Sequence, residues 1–353
     1  MNKPFFSVVI PQFNRTPHIK YALSVLAMQS FADFEVCISN DCSTDGRSQE
    51  LEQHLHDLNL RYRYRLLEKN VRYDANLRTA IQMASGRFCL LMGNDDCLAN
   101  ANTMEQLHAA VMSHRNTGVV ISNYKDYTDG TTYRRVKRTG PTGAGPNAAI
   151  AMFRNLSFVS GIVLNTDRAK AHFTAQWDGS EMYQMFLGCR IVAEGYQLVE
   201  LDEVTVRMGI VIDGESVESY ATRPREGGYS MRERKIPLVQ LGKVVCGAIG
   251  PYCEPWISRA SRQVFQQILM FTYPFWLVEY RRVQSWWFAA GVARGMRPAN
   301  LLPKGVSAID RLWIGACYSL MTLLGLSVPV GIFRALRHQL HSIAKSWSLS
   351  TQS

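Results

Sequence analysis

Short apolar runs that stop abruptly at polar residues set the rhythm of the first hundred positions. Phe6 to Ile10 is apolar and is closed by Pro11. The segment from His18 to Ser30 then carries Ile19, Leu23, Leu26 and Ala27 at helical spacing. A second apolar run, Phe34 to Ser39, ends in Asn40-Asp41-Cys42-Ser43, and residues 60–70 alternate like a third strand. Residues 75–86 read as a helix closed by Gly86, because glycine is a common stop just past a helix. Phe88 to Met92 is again apolar and gives way to Gly93-Asn94-Asp95-Asp96. This β-α-β-α-β order predicts an α/β fold with a mostly parallel central sheet and right-handed crossovers. Ligands in such sheets bind beyond the carboxyl ends of the strands. Pro11, Asp41 and Asp95-Asp96 all fall on that one edge.

Asp95 and Asp96 are a poor choice for structure alone. Adjacent carboxylates repel each other, and their desolvation is costly unless a cation or hydrogen-bond donors sit nearby. Hard cations such as Mg²⁺ or Mn²⁺ prefer oxygen ligands of this kind, with substrate phosphates completing the shell. A solvated turn that caps the next helix is the plainer alternative.

Three motifs turn this pattern into a resemblance. Pro11-Gln12-Phe13-Asn14-Arg15 follows the first strand, Asn40-Asp41-Cys42-Ser43-Thr44-Asp45 the second, and Ala84-Ser85-Gly86-Arg87 leads to Asn94-Asp95-Asp96. In order and spacing they resemble the nucleotide-sugar half of family 2 glycosyltransferases, which have the GT-A fold. The match covers residues 5–100 and continues more weakly to about residue 210. The resemblance implies a nucleoside-diphosphate-sugar donor. It gives Asp41 a hydrogen bond to the nucleotide base and Phe13 a stacking position, without the tyrosine hydroxyl usual there. It gives Asp95 a contact to the ribose or sugar and makes Asp96 the ligand of a Mg²⁺ or Mn²⁺ ion that holds the diphosphate. Pro11, Asn14 and Arg15 lie in the donor loop. Asn94 stands where many relatives have a third Asp, so the site is less acidic than usual. Arg72 and Arg78, in "NVRYDANLR", lie where relatives contact the donor, though a solvated helix face would use them as readily.

Inverting transfer needs a carboxylate that takes a proton from the acceptor hydroxyl. Relatives keep it in a Glu-Asp pair at the start of a helix. Here "DGSEMYQMFLGCRIVAEGYQLV" fits that helix, with Tyr183, Phe186, Leu187, Ile191 and Val192 as the buried stripe. Glu181 takes the Glu position and Met182 replaces the Asp, so Glu181 is the expected base and Asp178 the runner-up. The competing reading is an acid in the helix's first turn, where it is favourable anyway.

Composition adds a second region. The formal charge is +10, and residues 254–353 hold 11 Lys+Arg against 3 Asp+Glu, or +8 of that total. This tail interleaves its arginines with Trp, Phe and Leu, and Trp313 to Phe333 carries no charge. Such faces suit an anionic bilayer surface better than nucleic acid. Arg311 before the run and Arg334 and Arg337 after it favour both ends on the cytoplasmic side, hence in-plane or re-entrant insertion rather than a span or a buried soluble bundle. The eight cysteines show no CxxC pair and are expected as buried thiols in a reducing cytosol. The first strand begins at residue 5, so no signal peptide is expected there.

The expected organisation is a GT-A domain at 1–225, a basic linker or active-site loop at 226–254, and a helical, membrane-associating region at 255–353. The expected activity is inverting, metal-dependent sugar transfer from a nucleoside-diphosphate sugar. The expected acceptor is a polyprenyl-diphosphate-linked or free saccharide of surface polysaccharide assembly, at the cytoplasmic face of the inner membrane. A noncatalytic nucleotide-sugar-binding protein on the same fold is the alternative, kept open by Met182 and Asn94. A nucleotidyltransferase has less support, since no Gly-rich, Lys-containing loop follows the first strand. No feature of the sequence fixes an oligomeric state.

Overall fold

The computed structural model describes residues 3–215 and 237–332. The chain divides into two compact units, Met1–Glu226 and Gly227–Ser353. In the first unit, β1 (Phe6–Gln12), α1 (Thr16–Ala27), β2 (Phe34–Asn40), α2 (Ser48–Asp57), β3 (Tyr62–Leu66), α3 (Arg72–Met83) and β4 (Phe88–Leu91) follow in turn. Then come β5 (Cys97–Leu98), α4 (Thr103–Met112), β6 (Thr117–Asp126), β7 (Thr132–Tyr133), β8 (Gly140–Gly143) and α5 (Pro146–Met152). The unit closes with β9 (Ile162–Asn165), α6 (Thr166–Ala171), α7 (Tyr183–Ala193) and β10 (Gln197–Met208).

The strands form one sheet in the order β3-β2-β1-β4-β9-β6-β10-β5, with β7 on β6 and β8 on β10. From β3 to β4 every pairing is parallel, as the sequence predicts. Beyond β4 the expectation of a mostly parallel sheet is corrected. β9 runs antiparallel to both β4 and β6, β5 runs antiparallel to β10, and only β6 and β10 pair in parallel. The sheet is mixed. A central strand buried on both faces is apolar in either direction, so its composition carries no sign of which way it runs. The reversal matters for the site. Ile162, at the start of β9, lies beside Leu91, at the end of β4, so the loop before β9 arrives at the edge that holds Asp95 and Asp96.

The core lies between the sheet and its helices. Val8, Ile10, Val36, Ile38 and Leu90 from the strands pack with Ile19, Leu23 and Leu26 of α1 and with Leu51 and Leu55 of α2. Gly86 is not the helix-closing glycine expected. α3 ends at Met83, and Gly86 has no left-handed backbone. Its role is close approach, since a Cβ there would sit 2.6 Å from the Ser7 backbone nitrogen.

Five helices are described in the second unit: α8 (Pro237–Ile249), α9 (Ile257–Phe271), α10 (Tyr273–Val283), α11 (Trp286–Gly295) and α12 (Ala308–Ser327). The expected linker at 226–254 therefore includes a helix, whose Val239, Val244, Val245 and Ile249 are buried. The polar stretch 216–236 and the terminal stretch 333–353 lie outside the described residues.

Candidate active site

Three loops at the carboxyl edge of β1, β2 and β4 are stitched into one surface. Asn14 and Arg15 after β1 are both left-handed, with φ of 53° and 56°. The Asn14 N–H donates to Ser43 Oγ at 2.8 Å, and the Thr44 N–H donates back to Asn14 Oδ1 at 2.8 Å. Asn94 closes the set, because its amide nitrogen donates to Gln12 Oε1 (2.9 Å), Phe13 O (3.1 Å) and Asn14 O (3.3 Å). A carboxylate has no proton for these oxygens. Asn in place of the family's third Asp is therefore a structural requirement of this loop. The Arg15 guanidinium pairs with the Asp95 carboxylate beside it.

Pro11 lies within β1, and Phe13 is 3% exposed, set into the loop it was expected to present to a base. Asp41 is fully buried. Its two oxygens accept the N–H groups of Val71 (2.6 Å) and Arg72 (2.9 Å) at the start of α3.

Asp96 is 4% exposed and held from both sides. Oδ1 accepts the Gly209 N–H at 2.9 Å, just past the end of β10, and Oδ2 accepts the Ser160 hydroxyl from the loop before β9. Burial first, and then the neighbouring Asp95 charge, push its pKa up to about 7 against these donors and Arg15. Gly93 leaves the space in front open, since a Cβ there would meet Asp96 Oδ2 at 2.9 Å and Asp95 Oδ1 at 3.3 Å. Among the described residues no three His, Cys, Asp or Glu side chains converge. Two adjacent hard-oxygen carboxylates, one of them penalised for its buried charge, are a donor set that fits a hard dication completed by phosphate and water.

Arg135 is what sequence reasoning missed here. It lies among four cations in five residues, yet its guanidinium donates to the carbonyls of Ser122 (2.7 Å), Phe158 (2.9 Å) and Ser160 (2.9 Å). It lies over the rings of Tyr124 and Phe158, and burial lowers its pKa to about 10. It thereby fixes the turn that presents Ser160 to Asp96. Only its place among four cations in five residues marked it.

The acceptor side is built around α7. Glu181 precedes this helix rather than lying in its first turn: Met182 is the N-cap, and Glu181 has a left-handed φ of 59°. Arg72 lies 3.9 Å from the Glu181 carboxylate. Arg78 does not join the donor loops. Its guanidinium grips Asp178 with two hydrogen bonds and the Thr174 carbonyl with a third. The runner-up base is thus occupied, with both oxygens in a guanidinium fork. Tyr73, on the first turn of α3, donates to Gln184 Oε1 at 3.1 Å and feels the charges of Asp74, Glu181 and Asp96. Arg72, whose N–H donates to Asp41, thus stands between the donor edge and Glu181.

A mixed α/β sheet with paired acids at its carboxyl edge is an arrangement of the GT-A type of fold. Residues 7–168 match the family model Glycosyl transferase family 2. The chain is similar to poly(ribitol-phosphate) beta-N-acetylglucosaminyltransferase TarS of Staphylococcus aureus, 32% identical over 139 residues, 38% of this chain and 24% of that one. Abequosyltransferase RfbV of Salmonella typhimurium is 33% identical over 95 residues, 26% of this chain and 28% of that one. The matched stretch thus spans about a quarter of each relative's length. Among solved structures, S. aureus TarS 1–349 superposes with a TM-score of 0.64 at 16% identity, over 94% of this chain and 91% of that one. The mannosyltransferase PcManGT from Pyrobaculum calidifontis, in complex with GDP-Man and Mn²⁺, gives 0.51 at 15% identity, over 100% and 89%. The neighbourhood of folds is that of glycosyltransferases. It favours neither a noncatalytic binding protein nor a nucleotidyltransferase.

Proposed function

We propose that this chain is an inverting glycosyltransferase that moves a sugar from a nucleoside-diphosphate donor to a saccharide acceptor in surface polysaccharide assembly. The observation that carries this reading is Arg72, whose N–H donates to Asp41 at the donor edge while its guanidinium lies 3.9 Å from the Glu181 carboxylate. In this reading Asp96 is the acid on the phosphate side and Glu181, beside Arg72, is the base. Glu181 accepts the acceptor hydroxyl proton as that oxygen bonds to the anomeric carbon. The bond from that carbon to the diphosphate breaks, and its electron pair leaves on the phosphate oxygen. Arg15 and Arg72 supply positive charge beside the site. Asp96, with Asp95 next to it, would hold Mg²⁺ or Mn²⁺, which neutralises charge on the departing diphosphate when bound. Support for the donor class comes from the structures of relatives with UDP-GlcNAc or with GDP-Man and Mn²⁺. Support for the pathway class comes from names such as TarS and RfbV.

A thermal-shift panel of UDP- and GDP-sugars with Mn²⁺ identifies the donor, because a ligand that binds only the folded state raises its stability. With that donor, Glu181→Gln should lose about 10²–10⁴ in kcat with donor binding kept. Asp178→Asn should lose far less. The opposite ranking would move the base to Asp178.

We further propose a lipid-linked acceptor, with the second unit resting on the cytoplasmic leaflet. Of sixteen large hydrophobic residues exposed among those described, ten lie between Trp276 and Ile332. Within α12 only Ile314 and Gly325 are buried. An apolar surface of this kind, set among arginines, is suited to an anionic bilayer face.

A further inference from the structure

Asp74 is a carboxylate that the sequence reading passed over, and it ties the two sides of the site together. It lies in the first turn of α3 and is 1% exposed. Its Oδ2 accepts the N–H groups of Gly179 and Glu181, each at 2.8 Å, and its Oδ1 accepts that of Tyr183 at 3.1 Å. Three backbone donors from one short stretch converge on a single side chain of a different helix. The stretch has a shape that needs holding. Glu181 has a φ of 59°, in the left-handed region that L residues rarely adopt. Met182, the N-cap of α7, makes no side-chain cap hydrogen bond, so Asp74 takes the Tyr183 N–H that the helix end leaves unpaired. On its other side, the start of α3 is fixed by Asp41 through the N–H groups of Val71 and Arg72. A continuous line of backbone contacts therefore runs from the donor edge of the sheet, through the first turn of α3, to Glu181.

We propose that Asp74 is the positioning residue of the acceptor base, holding Glu181 in its left-handed turn at a fixed place beside Arg72. The proposal rests on Glu181 being that base, as argued above. An acid in the first turn of a helix is ordinary when it faces water or its own helix end. This one is buried and spends both oxygens on another segment. Asn at this position would turn an N–H₂ group toward backbone donors and open one side of the clamp. A displacement of about 1 Å in a reacting group can cost about 10²-fold in rate.

The test is a double-mutant cycle in the full chain, read with two further measurements. UDP-GlcNAc and GDP-mannose, with Mn²⁺, serve as donors. Asp74→Asn should lower kcat about 10–10²-fold while donor KM stays within about threefold. The double variant Asp74→Asn/Glu181→Gln should be no slower than Glu181→Gln alone, because a residue that acts through Glu181 has nothing left to position. Amide hydrogen exchange of residues 178–184 should quicken in Asp74→Asn while β1 and β4 keep their protection. Where Asp74→Asn does not fold, Asp74→Glu keeps both acceptors but shifts the clamp, and carries the same cycle. Losses that multiply in the double variant, or unchanged exchange at 178–184, would overturn the proposal. A Glu181→Gln enzyme with full kcat would overturn the base assignment itself. A slow Glu181→Gln enzyme beside a fully active Asp74→Asn one would overturn the clamp alone.

Discussion

Asn94 shows how a single residue can separate a family pattern from its local execution. Its amide nitrogen meets three oxygens of the 12–14 loop. Asn94→Asp would set a carboxylate against those oxygens and restore the acidic triplet that the family resemblance leads one to expect. The expected result is a loss of about 1–3 kcal/mol in folding stability at neutral pH, the usual cost of buried groups left without partners. Thermal unfolding measures it, and a variant as stable as the parent would show that the amide does not hold the loop. Such pairings are what the sequence hides at this scale. Asp95 and Asp96 stood out because adjacent carboxylates beyond an apolar run are costly, whereas Glu181 was singled out only through the family resemblance. Ser160, Gly209, Arg135 and Asp74 were not legible. Ser160 lies 64 residues from the Asp96 it meets, and Gly209 lies 113. Nothing in the local pattern announces either meeting.

At the scale of elements, the four strands up to β4 and helices α1 and α3 follow the apolar periodicity, whereas α2, with only Leu51 and Leu55 buried among polar residues, was not legible. The direction of β9 was not legible, since a buried apolar strand reads alike both ways. Yet that reversal is what delivers Ser160. Glu35 of β2 shows how firmly the legible half is tied. It is fully buried and accepts Ser7 Oγ of β1 (2.7 Å), the Ser85 N–H (2.6 Å) and hydroxyl (2.7 Å) before β4, and Arg63 Nε of β3 (3.1 Å). Burial alone would raise its pKa, but these donors outweigh it and leave the pKa below its ordinary 4.5. A carboxylate whose folded pKa is depressed adds stability above its unfolded pKa and loses it as the pH falls through the folded one. Glu35→Gln should therefore be about 1–3 kcal/mol less stable than the parent at neutral pH, and the gap should close in acid below 4.5. Denaturant titrations across that range measure the gap. A gap that stays constant with pH would mean that the ionised form is not what the four donors hold.

At the scale of the whole molecule, the family match stops at residue 168, while more than half of the exposed large hydrophobic residues among those described lie beyond residue 270. The sequence suggested a charge-free run from Trp313 to Phe333. Phe333 lies outside the described residues, and α12 ends at Ser327, with an extended backbone at Val328 just before Pro329. By length and composition α12 could cross a membrane. Its uncharged part, Leu312 to Ser327, is nevertheless only about 24 Å long at 1.5 Å per residue, short of a hydrocarbon core of about 30 Å. Leu312, Leu320 and Leu323 are more than half exposed and offer an apolar face for in-plane insertion. The protein should therefore co-sediment with vesicles of phosphatidylglycerol and phosphatidylethanolamine. Part of the binding should survive high salt, because apolar insertion is not screened as charge attraction is. Leu320→Glu/Leu323→Glu changes only exposed positions, so the fold should stand while vesicle binding falls at least tenfold, with the remainder lost in salt. A reporter fused after residue 353 should read as cytoplasmic in cells. A periplasmic reading would mean that α12 crosses the bilayer, and vesicle binding equal to the parent's in the double variant would mean that another face makes the contact.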